Sequence, residues 1–291
     1  MAARAATRPR RASSNRVVGP LVKYLVLAFF AAITLYPLLL IVSTAFKDPL
    51  DVTLDPFTLF SSFRFQNLRD AWTLGGFGAN FMNTVKITVP TVLGVLALSV
   101  LAGYALARLR FRGRNLIFYT FMLGLMIPFF SIMIPLFFLL RNTDILGSIW
   151  AVILPAIAGG PGFGLPLGVF LMRSFYQDLP DDLADAARVD GAGELAVFWH
   201  IMLPLSAPGI SVLAVLVFFQ TWNNFLLPLL YLPGEENRPL ATGLYLFVSG
   251  RTTEYELAAA GSLIMVVPVL LFFILFQRQF VKGITSGALK G

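Results

Sequence analysis

The stretch LPDDLADAARVDGAGELAVFWHIMLPLSAP, residues 179–208, governs how the rest of the chain is read. It is the longest run in the last two-thirds of the chain that suits water, and apolar segments of membrane-spanning length flank it on both sides. Its pattern predicts helix, break, helix. Pro180 fits a first helical position, where a missing N–H costs nothing. Asp181, Asp182 and Asp185 lie near that start, where carboxylates favour the positive end of the helix dipole. Gly191 is a natural stop, because glycine enters the left-handed conformation freely. Leu195, Phe198, Trp199 and Met202 then recur at helical spacing, and Pro204 closes the second pattern. The expectation is a short helical hairpin on a membrane face, with an acidic shoulder and an apolar stripe.

Working outward, the composition agrees with a membrane setting. Of 291 residues, 57% are hydrophobic and 13% charged, whereas a soluble domain carries about a quarter charged residues. There is no cysteine, which excludes a disulfide framework and a thiolate metal site. The net charge of +7 resembles a nucleic-acid signal until its placement is considered. The positive groups cluster at the ends of apolar segments, so they read as topogenic, and no nucleic-acid partner is expected.

Six apolar segments stand out, at 21–44, 84–107, 115–140, 150–174, 207–231 and 259–281. Each exceeds the ~20 residues a spanning helix needs, and none carries Asp or Glu. Spanning strands would be half as long and would alternate. The fold class predicted is therefore all-α, a polytopic membrane protein with six transmembrane helices. If the N-terminus is cytosolic, 15 of the 22 Lys and Arg fall on the cytosolic side. Arg108, Arg110, Arg112 and Arg114 in one short loop weigh most. Both termini and the hairpin at 179–206 are then cytosolic. Residues 1–20, with Arg4, Arg8, Arg10, Arg11 and Arg16, are expected to be a disordered basic cytosolic tail. Residues 21–281 form the transmembrane domain, and 282–291 a cytosolic C-terminal tail. The first apolar run is too long for a signal-peptide core and is expected to remain as a helix.

Two opposite-face segments, 46–83 and 232–258, suit either a solvated loop or a docking surface for an extracytoplasmic partner. Prolines fall inside most spans, and residues 158–166 read AGGPGFGLP. That run cannot stay regular helix, since Pro161 and Pro166 lack an N–H and the glycines weaken the backbone. Irregular backbone at depth belongs in a packing kink or beside a water-filled cavity. The fifth span holds Gln220, Trp222, Asn223 and Asn224. Such groups are expensive in lipid and should face protein or water. They suit either interhelical hydrogen bonding or a pathway for a neutral polyol.

What the chain lacks also narrows its chemistry. No span holds a carboxylate to carry a coupling ion. His200, the sole histidine, lies in the hairpin and reads as a polar-face residue. Gly-Lys never occurs, so there is no P-loop. No acid–base pair or metal cluster suggests catalysis, so the chain is not expected to be an enzyme. If transport runs uphill, the energy arrives from another polypeptide. An ion-coupled or facilitative carrier acting without an ATPase is the alternative.

The hairpin resembles the EAA motif of importer-type ABC permeases, E-A-A-x3-G-x9-I-x-L-P. Here it reads Asp185-Ala186-Ala187, three residues, Gly191, nine residues, then Ile201-Met202-Leu203-Pro204. Asp185 stands where the family usually has Glu, which keeps the charge with a reach one methylene shorter. LADAARVDGA, FWHIMLPL, SAPG, QTWNNFLLP (220–228) and the ending SGALKG look like the carbohydrate-uptake branch, the smaller permease of the maltose and glycerol-phosphate type. The resemblance implies a subunit of a bacterial inner-membrane sugar importer, forming half of a pore with a second permease. The further partners implied are two ABC ATPases, which carry the ATP and Mg, and an extracytoplasmic solute-binding protein, free or lipid-anchored. No cofactor or metal is expected on this chain. The hairpin would be the coupling helix, with Asp185 facing basic groups of the ATPase and Gly191 making the turn. Asp190 lies beside that turn. Leu195, Phe198 and Trp199 would fill an apolar cleft or pack beneath the bundle. The C-terminal residues 288–291 would reach the ATPase, and 232–258 would probe the binding protein.

Overall fold

The structure, a computed structural model, describes residues 15–160, 162, 164–249 and 253–288. All regular structure among them is helical, as the apolar segments predict. The first helix, α1 (Asn15–Phe46), takes in residues 15–20 of the expected tail, and residues 1–14 lie outside the described residues. Two short helices, α2 (Pro49–Leu54) and α3 (Gln66–Leu74), follow before α4 (Phe77–Arg108). Next come α5 (Arg114–Met126), α6 (Phe129–Asn142), α7 (Trp150–Ala158) and α8 (Leu165–Asp178). The hairpin is α9 (Asp182–Val189) and α10 (Glu194–Leu205), the latter with a π-helical turn at Phe198–Met202. The chain ends in α11 (Ala207–Trp222), α12 (Leu226–Tyr231), α13 (Leu240–Gly243), α14 (Tyr245–Ser249) and α15 (Tyr255–Ala288). Residues 289–291 of the expected C-terminal tail lie outside the described residues.

Among the described residues, three helices are long and apolar enough to cross a membrane by themselves: Pro20–Phe46 within α1, α4, and Tyr255–Leu275 within α15. Two bent pairs raise the number to five, α5 with α6 at 98° and α10 with α11 at 68°. The segment expected at 150–174 is broken where its glycines and prolines demand it. Gly159, at φ +123°, ends α7, and Pro166 stands in the first turn of α8. The α5–α6 break has the same kind of cause. Ile127 precedes Pro128 and is extended, at φ −80° and ψ 116°, as a following proline requires.

The axis of the bundle is α4. Its 32 residues extend about 48 Å at 1.5 Å per residue. Around its Arg108 end pack Tyr104, Met172, Tyr176, Ala184, Val197, Phe198 and Met202. Around its Phe77 end pack Ala45, Ala71, Leu240, Phe247 and Leu257. The hairpin and the 46–76 segment therefore sit at opposite ends of one long helix. The segment 232–258 joins the Phe77 end as well. The Asn83 amide donates to Glu236 O at 2.7 Å and Arg238 O at 3.2 Å, and Leu240 N donates to Thr84 Oγ1 at 2.9 Å.

Candidate functional site: a helical hairpin clamped to the bundle

The hairpin turn is built on Gly191, which adopts φ +86°. Ala192 N donates to Ala187 O at 2.9 Å, and Gly191 N to Arg188 O at 3.0 Å. These two bonds form a Schellman closure, which satisfies carbonyls at the end of α9 that a helix otherwise leaves open. Asp190 occupies the capping position just before it and is exposed.

An ionic chain joins the two arms. Arg188 donates to Asp185 Oδ1 at 2.7 Å and to both carboxylate oxygens of Glu194, at 2.9 and 3.3 Å. The hydrogen bonds to Glu194, then those to Asp185, push the Arg188 pKa up and keep the guanidinium charged. Glu194 Oε2 in turn accepts from the Tyr104 hydroxyl at 3.2 Å. Arg108, at the end of α4, forms an ion pair with Asp181 and donates to Leu179 O. Arg173 adds a third tie, with Nε donating to Leu106 O at 3.2 Å and its guanidinium 3.9 Å over the Phe118 ring. The cationic end of α4 thus grips both the foot of α9 and the start of α10.

The apolar stripe is divided between two surfaces. Phe198 is 3% exposed and its ring lies 4.9 Å from that of Tyr104. Val197 and Met202 are buried with it. Leu195 is 76% exposed, and Trp199 also faces outward. Within the motif, Ala186 is exposed, Ala187, Ile201 and Leu203 are half-buried, and Pro204 is exposed. Sequence reasoning missed Val189, which is 87% exposed just before the turn, as Leu195 is just after it. It also missed Ala184, buried against the bundle, although its spacing of three from Ala187 carries that signal. Arg108 was readable only as a topogenic charge, and nothing in the sequence set Tyr104 apart within its span.

The polar set of the fifth segment lies at a helix break. Asn223 follows the last turn of α11, and its amide donates to Phe219 O at 2.8 Å. Asn224 Oδ1 accepts from Leu227 N at 3.2 Å, near the start of α12. Trp222 is 4% exposed, with Nε1 donating to Met265 O at 3.4 Å. Its ring stacks on Phe218 at 5.3 Å and meets Phe81 edge-on at 5.7 Å. Gln220 lies against the α7–α8 break, where a Cβ on Gly162 would stand 2.5 Å from its amide nitrogen. The glycine- and proline-rich break and the polar set of the fifth segment therefore meet. Among the described residues no group of three metal-ligating side chains occurs.

Comparison with known proteins agrees with this geometry. Residues 96–286 match the model of the family described as binding-protein-dependent transport system inner membrane component. The diacetylchitobiose uptake system permease protein of Streptomyces coelicolor is 34% identical over 96% of this chain and 91% of its own length. The arabinooligosaccharides transport system permease protein of Halalkalibacterium halodurans is 36% identical over 95% of this chain and 100% of its own. The trehalose transport system permease protein of Mycobacterium tuberculosis is 33% identical over 88% of this chain and 93% of its own. Among solved structures, a bacterial ABC transporter involved in the import of the acidic polysaccharide alginate superposes with a TM-score of 0.78. It covers 94% of this chain and 100% of the matched chain at 23% identity, and so supports the fold alone. With a family match that runs from within α4 into α15 and relatives that align along nearly the whole chain, this protein belongs to the binding-protein-dependent transport system inner membrane components.

Proposed function

We propose that the chain is the permease subunit of an ATP-driven importer for a sugar or oligosaccharide. It forms half of the translocation pore with a second permease and takes work from two separate ATPase subunits, which hold the ATP and Mg. An extracytoplasmic solute-binding protein delivers the substrate. The carbohydrate class is supported by the relatives, named for diacetylchitobiose, arabinooligosaccharides and trehalose. The chain crosses the membrane six times. Three crossings are straight, and the segments at 115–140, 150–174 and 207–231 cross as broken helices. The excess of Lys and Arg on that side supports a cytosolic position for both termini and the hairpin.

One observation carries the coupling assignment. The hairpin is locked to α4 by Arg108 and by Glu194, yet its tip exposes Val189 and Leu195. A segment that is rigid toward the bundle and apolar toward solvent is suited to transmit a push from a partner. The test is Gly191→Pro in the reconstituted complex, with ATP hydrolysis measured with and without loaded binding protein. Proline is confined near φ −65° and cannot occupy the +86° position. The substrate-stimulated rate should fall roughly tenfold or more, as a misplaced lever far from the chemistry does. Stimulation at the parental level would remove the hairpin from the coupling path.

A further inference from the structure

We propose that residues 55–63 form a lipid-immersed loop, seated at the headgroup–acyl boundary of the leaflet opposite the hairpin. The partner is the phospholipid surface itself. The loop does not rise away from α1 but folds back along it. Phe60 N donates to Ser43 Oγ at 2.7 Å, and the Tyr36 hydroxyl donates to Phe57 O at 3.4 Å. Tyr36 lies about 16 Å below Lys47 along the helix, at 1.5 Å per residue. The apolar stretch Pro20–Phe46 is about 40 Å long by the same rise, against a hydrocarbon core of ~30 Å. Its outer turns therefore stand in the interfacial layer, and the loop lies beside them there.

Three further observations fit this setting. Between Asp55 and Arg64 the sequence is PFTLFSSF, with no charge. Phe57, at 71% exposed, and Phe63 are uncovered, as is the apolar length of α1 along which the loop folds. Aromatic rings of this kind collect at membrane interfaces. Several of the loop's polar groups also find partners within the protein, as an apolar surround favours. Lys47 is fully buried and its ammonium donates to Asp55 O at 2.8 Å and Pro56 O at 3.2 Å. The Ser61 and Ser62 hydroxyls donate to Asp51 at 3.0 and 2.8 Å. Phe60 adopts φ +54°, a costly conformation for a bulky residue that persists only where its surroundings hold it.

The natural chain has no cysteine, so single labels are clean. Phe57→Cys and, independently, Phe63→Cys carry a nitroxide in the assembled transporter in liposomes. Collisions with oxygen, which concentrates in lipid, are compared with collisions with a water-soluble nickel chelate. Leu27→Cys on α1 and Glu235→Cys, exposed in the 232–258 segment, are the lipid and water references. The loop labels should show several-fold more oxygen contact and several-fold less nickel contact than the label at 235. Nickel contact at 57 and 63 overturns the proposal in favour of a solvated loop. Low contact with both overturns it in favour of cover by a partner protein. The proposal rests on α1 crossing the membrane, and nickel contact at 27 would show that this reading, not the loop alone, has failed.

Discussion

Arg108 shows how one side chain can set the position of a whole helical hairpin. Its side chain is 9% exposed, it pairs with Asp181, and it donates to the Leu179 carbonyl. The guanidinium is a flat fork that serves two acceptors in fixed directions, whereas an ammonium is a point charge on a flexible stem. Its Nε is buried with no partner, so the arrangement is not tuned for stability alone. Arg108→Lys keeps the charge and loses the fork. Asp181 is largely exposed and returns to water at little cost, so the expected loss of stability is only about 1 kcal/mol. Coupling should suffer more than stability. Substrate-stimulated ATP hydrolysis by the complex is expected to drop severalfold while the basal rate and the melting temperature barely move. A large fall in melting temperature with intact stimulation would make Arg108 a structural residue instead. In the sequence this arginine is visible only as one charge in a basic loop, because a linear chain does not show that residues 108 and 181 meet.

At the scale of elements, breaks proved easier to read than directions. Pro161, Pro166 and the surrounding glycines forbid a regular helix at 158–166, and α7 does end at Gly159. The expensive amides at 223 and 224 coincide with the end of α11 and the start of α12, where side chains can serve backbone groups that helix ends leave open. The 98° bend between α5 and α6 was not readable, since Pro128 announces a break and says nothing of its angle. Nor does a helical stripe reveal which members turn inward. Phe198 and Trp199 are neighbours with opposite exposure, decided by Tyr104 on a helix far away in sequence. The same division applies at 222 and 223. Trp222→Ala removes a ring packed between Phe81 and Phe218 and should cost about 3–5 kcal/mol, seen as lost assembly of the complex. Asn223→Ala removes an exposed amide bonded within its own helix and should leave assembly intact. Transport measured in liposomes then tells whether that amide meets substrate, and an unchanged uptake rate would take it off the pathway.

For the molecule as a whole, the proposed coupling role requires that force applied to the hairpin moves more than the hairpin. The hairpin follows α8 directly, and α8 lies along α4 with glycines at the closest approach. A Cβ on Gly103 would come within 2.6 Å of Met172 Cβ and 3.0 Å of Arg173 N. Gly168 is equally tight against Ser99. Membrane helices lack a hydrophobic drive to associate, so close backbone contact through small residues supplies the attraction. Added to the polar clamp at Arg108 and Glu194, this joins α4, α8, α9 and α10 into one lever. Gly103→Ala tests the lever at a position buried within this chain. The obstructing atoms are a Cβ and backbone, which cannot swing aside, so overpacking should cost about 1–3 kcal/mol. Gly193→Ala is the control, with φ −72° and nothing within 4 Å of a new Cβ. There the loss of unfolded-state freedom and the poorer capping by alanine at this N-cap position oppose each other, each under about 1 kcal/mol, and predict a near-neutral change. A melting temperature several degrees lower for Gly103→Ala, with reduced stimulated ATP hydrolysis, is the outcome of a packed lever. Equal behaviour of the two variants in both measurements would mean that α4 and α8 slide freely, and that the hairpin works through its salt bridges alone.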